Sequence, residues 1–162
     1  MRKLTRHQIT GKNSLRHWTR IVSPLRVAVN FVVIYTCRFL PSLRLKNCLY
    51  RLVGMKIGKD VSVGLMAMFD IFFPELISIG ENSIIGYNAT VLAHEFLISE
   101  WATGRVEIGR DVLVSANTTV LAGVRIGDGA VVSACSLVNK DVPAKAKVGG
   151  VPARPLTARK ER

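Results

Sequence analysis

Residues 108–138 read IGRDVLVSANTTVLAGVRIGDGAVVSACSLV and carry an aliphatic side chain at every sixth position without interruption. These positions are Ile108, Val114, Val120, Ile126, Val132 and Val138. A period of six matches neither an α-helix nor a meander of hairpins, which needs turn residues between its strands. It is typical of a parallel β-helix, in which one residue of each hexad points inward and stacks on its equivalents in neighbouring coils. The alternative, several strands of a β-sandwich, does not explain six hexads in unbroken phase.

The same pattern continues towards the N-terminus. It holds at Ile57 and Val63 and again at Ile79, Ile85 and Val91, so that eleven hexads begin with Ile or Val. The fifth residue of ten of these hexads is Val, Ala, Ser or Thr, as the narrow space near a coil corner requires, and Gly, Asn or Asp is suited to the tight turns. We therefore predict an all-β solenoid, a parallel β-helix domain over residues 55–156.

Two stretches interrupt the period. Residues 98–107 look like an inserted loop that begins four residues after His94. The stretch 69–78 contains Pro74 and slips the phase, which indicates either a distorted coil or a smaller excursion. Insertions in a solenoid leave the stack as loops, often on the functional face, so both stretches are candidates for a site.

Residues 23–54 predict a basic helical hairpin. Ser23-Pro24 is typical of an N-cap followed by a first-turn proline, and Pro41 ends the first helix. The second helix carries one apolar stripe, with Arg44, Lys46 and Arg51 lying away from it. The stripe consists of Leu45, Cys48, Leu49, Leu52 and Val53.

The positive charge lies at the two ends of the chain. Residues 1–59 hold 13 Lys and Arg and no acid, residues 60–139 hold 3 against 9 acids, and residues 140–162 hold 7 against 2. We assign residues 1–22 to a basic arm and residues 157–162 to a basic tail. Basic segments of this kind can bind nucleic acid, anionic lipid or a phosphorylated small molecule. The sequence contains no recognisable nucleic-acid-binding module, so we expect no nucleic-acid partner.

The helical hairpin has two alternatives. It either packs on the protein or a neighbouring subunit, or makes peripheral contact with an anionic membrane.

The composition favours one compact domain: 162 residues, 49% hydrophobic, with a net charge of +12. The three cysteines have no paired or CxxC spacing, which indicates a reducing compartment. The longest uncharged apolar run lies between Arg26 and Arg38, shorter than the roughly 18–20 residues of a membrane span. It also begins too late for a signal peptide. We expect a cytoplasmic protein, with the inner membrane face as a peripheral location.

The sequence resembles the hexapeptide-repeat acyltransferases, and within them the maltose and galactoside O-acetyltransferase branch. The resemblance is carried by Ile79-Gly80-Glu81-Asn82, by residues 90–94 (TVLAH), by residues 108–130, and by the closing segments NKDVP at 139–143 and VGGVPAR at 148–154. It covers about residues 57–156. The resemblance implies a left-handed parallel β-helix that transfers acetyl groups from acetyl-CoA.

The resemblance also implies roles for single residues. His94 occupies the family's catalytic position, and an imidazole, which titrates near pH 6.5, can remove the proton of an attacking hydroxyl at neutral pH. Residues at motif positions that line the coenzyme A groove are Ala116, Ala134, Asn139 and Lys140, with Arg154 near the nucleotide phosphates. A backbone N–H near Ala116 is the expected donor to the oxyanion.

The acceptor is expected to be a small molecule or a glycan that carries a hydroxyl. Asp70, Glu75 and Trp101 are the candidate substrate-binding residues, Trp101 either stacking on a sugar or packing on a neighbouring subunit. The surrounding region is unusually apolar for a sugar cleft because of Phe72 and Phe73. A hydroxyl carried by a lipid-linked glycan is a further alternative.

The resemblance implies a homotrimer with the site between subunits. We expect no metal, because His94 is the only histidine of the repeat region and a catalytic zinc needs three protein ligands. The alternative function is a catalytically silent β-helix that serves as a scaffold or binding platform through its basic ends.

Overall fold

The hexads form short strands that pair from one coil to the next, in a computed structural model that describes residues 2–156. The tail at 157–162 lies outside the described residues. The helical elements are a 3₁₀ turn at Ser14–His17, α1 at Trp18–Ile21, α2 at Pro24–Cys37, α3 at Leu43–Leu52 and a second 3₁₀ turn at Pro74–Leu76. The strands are β1 Thr5–Gln8, β2 Lys56–Ile57, β3 Ser62–Val63, β4 Met68–Phe69, β5 Ile77–Ile79, β6 Ile84–Ile85, β7 Thr90–Val91, β8 His94–Phe96, β9 Glu100–Thr103, β10 Val106–Ile108, β11 Leu113–Val114, β12 Thr119–Val120, β13 Arg125–Ile126, β14 Val131–Val132, β15 Leu137–Val138, β16 Lys147–Gly149 and β17 Arg154–Pro155.

Three parallel sheets form the faces of the β-helix. The first face is β2-β5-β10-β13, the second is β3-β6-β11-β14-β16, and the third is β4-β7-β12-β15. Each coil visits the three faces in turn. The strand β17 pairs antiparallel with β16 and ends the second face.

The first residue of each hexad points into the core, as predicted. In the first face Ile57, Ile79, Ile108 and Ile126 stack in register, and each is at most 7% exposed. The small residues at the fifth positions are also buried, including Ser83, whose hydroxyl donates to the Gly109 carbonyl (2.8 Å) and accepts from the Val112 N–H (2.9 Å). The hexad pattern therefore fixes both the stack and the corners, because only small or hydrogen-bonded side chains fit there.

The turns depend on residues that tolerate unusual backbone geometry. Asn82 adopts a positive φ of 54°, and its side-chain amide donates to the Asp111 carboxylate of the next coil at 2.7 Å. Gly80 has no space for a side chain, since a Cβ there would lie 2.5 Å from the Arg110 nitrogen. Asn tolerates the left-handed region, and Gly allows the close approach of two backbones.

The helix α3 closes the N-terminal end of the coil stack with its polar side. The Lys46 ammonium donates to the Val63 and Gly64 carbonyls at 2.7 and 2.8 Å, and the Asn47 amide donates to the Val61 carbonyl at 2.7 Å. Burial lowers the pKa of Lys46, and nearby Cys37 opposes that shift. Of the alternatives for the apolar stripe of this helix, packing on the protein's own coils is therefore wrong for most of the stripe. The first coil has no preceding coil to bond its carbonyls, so donors are needed on the inward side.

Consequently, most of the apolar stripe of α3 faces outward. Leu45 is 47% exposed and Leu52 is 74% exposed. The helix α2 buries Val27, Asn30, Ile34 and Cys37 along one side and exposes apolar residues on the other. No single helix among residues 2–156 has the length and apolarity for a membrane crossing, although Ser14–Ile21 and Pro24–Cys37, bent by 101°, meet these criteria as a pair.

Both interruptions of the period are excursions from the stack. The first begins after Phe69, which is a buried third-face residue in register with Val91, so the slip follows Phe69 rather than including it. The second is a hairpin in which β8 and β9 pair antiparallel. The basic arm is folded on this hairpin, because β1 pairs antiparallel with β9.

Candidate active site

His94 and Asp70 meet where the chain leaves the third face on successive coils. Asp70 follows β4 and His94 begins β8, and the register of Phe69 with Val91 brings the two excursions together. The His94 Nδ1 lies 2.5 Å from the Asp70 Oδ2. The Asp70 side chain has no exposed surface, whereas that of His94 is 15% exposed.

Backbone donors hold the Asp70 carboxylate in place. Its Oδ1 accepts from the Phe72 and Phe73 N–H groups at 2.8 and 3.0 Å, and its Oδ2 accepts from the Ala93 N–H at 2.7 Å. Burial by itself raises the pKa of Asp70, but the hydrogen bond and charge of His94, helped by the N–H groups of Phe73 and Ala93, outweigh burial and lower it. An ionised carboxylate at Nδ1 favours the tautomer that carries its proton on Nδ1, and leaves Nε2 free to accept one.

Aromatic rings surround the His94 imidazole. Phe72 and Phe96 meet it edge-on, with ring centroids at 4.9 and 4.8 Å, and the Phe73 ring lies at 5.9 Å. Such a wall reduces the access of water to the imidazole. The sequence shows Phe72 and Phe73 as apolar residues near the acceptor, but no periodic signal places Phe96.

The N-terminal arm extends this wall. Trp101 on β9 stacks with His7 on β1 (4.2 Å) and with Phe73 (6.0 Å), while Trp18 meets Phe72 edge-on at 5.9 Å. Arg2 pairs with Glu95, and Arg6 pairs with Glu100. The contacts of His7 and Trp18 with these aromatic residues could not be predicted from the sequence, because nothing in the arm indicates which part of the solenoid it contacts.

Two of the predicted substrate-binding residues, Asp70 and Glu75, have carboxylates that contact other residues of the protein. Asp70 cannot contact an acceptor, because its carboxylate is fully buried beneath His94. Glu75 lies in the same excursion but forms an ion pair with Arg26 of α2, at 2.9 Å, so its carboxylate is directed to the helical hairpin. Of the three predicted residues, Trp101 lies next to the aromatic rings around His94. It stacks on His7 and Phe73 of the same chain.

The predicted coenzyme A residues occupy two different corners. Ala116 and Ala134 follow the second-face strands β11 and β14, and the Cys135 N–H donates to the Ala116 carbonyl at 2.9 Å. Asn139 and Lys140 follow β15 on the third face. His94 follows β7, another strand of the same face. One chain therefore does not bring Ala116 and His94 to the same corner.

Lys140 and Arg154 lie on the surface near the C-terminal coils. Asn139 and Lys140 line a groove of about 470 Å³ together with Arg2, Leu4 and Arg6 of the arm. Arg154 is exposed and pairs with Gly149 across β16 and β17. Within residues 2–156 no cluster of three or more His, Cys, Asp or Glu side chains is arranged to hold a metal ion.

At one corner of the parallel β-helix an imidazole is held by a buried carboxylate, an arrangement that is chemically able to accept a proton. A family model described as "Bacterial transferase hexapeptide (six repeats)" matches residues 105–140. The Bacillus subtilis (strain 168) protein named "Putative acetyltransferase YvoF" is 54% identical over 162 residues, which span 99% of this chain and 94% of that protein. The chain belongs to the hexapeptide-repeat acetyltransferase family.

Solved structures agree with this assignment at the level of the fold. A hexapeptide-repeat acetyltransferase from Vibrio cholerae O1 biovar eltor, in complex with acetyl-CoA, has a TM-score of 0.64 and 22% identity over 85% of this chain and 88% of that one. A galactoside acetyltransferase in complex with coenzyme A has a TM-score of 0.66 and 21% identity over 83% of this chain and 80% of that one. The predicted left-handed parallel β-helix and the predicted family are both confirmed.

Proposed function

We propose that this protein transfers an acetyl group from acetyl-CoA to a hydroxyl of a sugar or glycan acceptor, with His94 as the general base. The observation that carries the proposal is the contact of Nδ1 of His94 with the buried Asp70 carboxylate. It orients the ring, and in the favoured tautomer the other nitrogen is ready to accept a proton. Asp70 acts as a positioning residue, because it reaches only the imidazole and backbone N–H groups.

The reaction proceeds by direct transfer. Nε2 of His94 removes the proton of the acceptor hydroxyl while the oxygen forms a bond to the thioester carbonyl carbon. The tetrahedral intermediate then collapses, the C–S bond breaks, and the departing thiolate takes the proton from the imidazolium. A backbone N–H near Ala116 is the proposed donor to the oxyanion.

Coenzyme A is proposed to lie between two subunits of a homotrimer. The separation of Ala116 and Ala134 from His94 on different corners supports this arrangement, since two chains side by side can bring unlike corners together. Cations suit the phosphates of the cofactor, and Lys140 shares its groove with Arg2 and Arg6. Arg154 is proposed as a further phosphate contact.

The test is release of free thiol from acetyl-CoA by the wild type and by His94→Ala. The acceptor panel contains sugars, amino sugars and hydroxyl-bearing glycolipid mimics, and acetyl-CoA binding is measured separately by calorimetry. We expect acceptor-dependent release that collapses in the variant while acetyl-CoA binding persists. Release only with amine acceptors would refute O-acetylation, and absence of acetyl-CoA binding would favour a silent scaffold.

A further inference from the structure

The outer surface of the helical hairpin is apolar and uncovered. We define this outer surface by Leu25, Val29 and Val32 of α2 and by Leu45 and Leu52 of α3, which are between 47% and 75% exposed. Leu25, Val29 and Leu52 line one shallow groove of about 420 Å³, so the two helices form a continuous surface. A helix that is apolar on all sides is normally covered on all sides, which implies an occupant for this surface.

The outer surface lies at the end of the solenoid, directed away from the coils. The opposite sides of the helices face the first coil, where Asn30 of α2 donates to the Ile71 carbonyl at 2.9 Å and Asn47 of α3 donates to the Val61 carbonyl at 2.7 Å. An occupant of the outer surface therefore approaches from the side of the hairpin opposite the first coil.

The surroundings of the outer surface are positively charged. Residues 23–59 contain seven Lys and Arg and no Asp or Glu. Lys46 is buried and Arg26 is paired with Glu75, whereas Arg44 and Lys56 are exposed. Phe31 and Tyr35 of α2 and Phe39 just after it form a row of rings, with the Arg38 guanidinium 5.5 Å from the centre of the Tyr35 ring. Apolar side chains, aromatic rings and an excess of cations are the combination that an anionic lipid surface binds.

The length of α2 decides between lying on a membrane and crossing it. Its 14 residues extend about 21 Å at 1.5 Å per residue, less than the ~30 Å hydrocarbon core of a bilayer. One side of the helix is also fixed to the protein. We propose that the outer surface of the hairpin docks in the plane of an anionic membrane, with the coil stack standing away from the lipid.

Flotation of the full-length protein with vesicles tests this docking. The vesicles contain either phosphatidylcholine alone or phosphatidylcholine mixed with anionic phosphatidylglycerol. We expect binding to the anionic vesicles and little to the neutral ones. Combined Val29→Gln and Val32→Gln substitutions should weaken binding by about tenfold or more, because both side chains leave the lipid. The matched control is Ile98→Gln, since Ile98 is 80% exposed but lies on the β8–β9 hairpin.

A second pair of variants tests the charges independently. Arg44→Glu combined with Lys56→Glu should lower binding to anionic vesicles by about tenfold or more, whereas Arg105→Glu on the coils should leave it unchanged. Absence of binding to phosphatidylglycerol vesicles would overturn the proposal, as would equal losses in the hairpin variants and their controls. A change in the size of the assembly in the Gln variants, measured by light scattering, would show that a second copy covers the surface instead.

Discussion

Asp70→Asn is the substitution that separates a positioning role of Asp70 from a merely structural one. The amide of Asn keeps the shape of the carboxylate, and its oxygen can still accept from the Phe72 and Phe73 N–H groups. Its NH₂ then faces the Ala93 N–H and Nδ1 of His94, where the carboxylate accepted two hydrogen bonds. Nδ1 then accepts a hydrogen bond from the amide, so the ring carries its proton on Nε2. Nε2 can therefore no longer remove a proton from the hydroxyl of the substrate.

The expected magnitude follows from these contacts. General-base catalysis contributes about 10²–10⁴ in rate, so kcat should fall by that factor, equivalent to about 3–5 kcal/mol in the barrier. The KM for acetyl-CoA should change little, because Asp70 is buried away from solvent. The Ala93 N–H loses its acceptor, which lowers the free energy of unfolding by about 1–3 kcal/mol.

The assay is steady-state thiol release with the best acceptor of the panel, accompanied by thermal unfolding of each variant. The control is Asp60→Asn, since Asp60 is 71% exposed on a coil turn and should retain wild-type turnover. The double variant Asp70→Asn/His94→Ala should be no slower than His94→Ala, because both changes remove the same function. A folded Asp70→Asn protein with turnover close to wild type, or a double variant whose losses add, would refute the reasoning.

Three further predictions concern the end of the stack, the acceptor wall and acid stability. Lys46→Met leaves two carbonyls of the first coil unpaired and should lower the free energy of unfolding in urea by about 1–3 kcal/mol, whereas Lys59→Met, at an 84% exposed side chain, should not. Trp101→Ala should raise the KM for the acceptor by about threefold to tenfold with the KM for acetyl-CoA unchanged; equal changes in both would count against an acceptor role. Because the pKa of Asp70 is lowered in the folded state, its stabilising contribution is present above about pH 4 and lost as the pH falls further. Urea midpoints from pH 5 to pH 3 should therefore decline less steeply in Asp70→Asn than in the wild type.

The solenoid could be predicted because its sequence repeats the same physical requirement. Each coil needs an aliphatic side chain in its interior. The positions of Val114 and Ile126 in the hexads therefore predict their burial without knowledge of the rest of the fold. The role of Asp70 could not be read in this way, because it depends on a hexad that begins with Phe69 instead of Ile or Val. Once Phe69 is in register with Val91, residues 70 and 92 are neighbours on successive coils, and His94 is two residues further along the chain. The pairing of the N-terminal arm with the β8–β9 hairpin could not be predicted either, because no periodic pattern in the sequence indicates it.

The orientation of α3 shows why a rule that holds inside the solenoid fails at its end. An apolar stripe normally faces the protein because burial of apolar surface is the main favourable term. At the first coil, however, the surface to be covered is a row of backbone carbonyls, and leaving them unpaired in a buried place costs more than exposing leucines. Lys46 and Asn47 therefore turn inward as donors, and the same rotation places Leu45 and Leu52 outside. The cap that completes the hydrogen bonds of the β-helix thus creates the apolar surface proposed to meet the membrane.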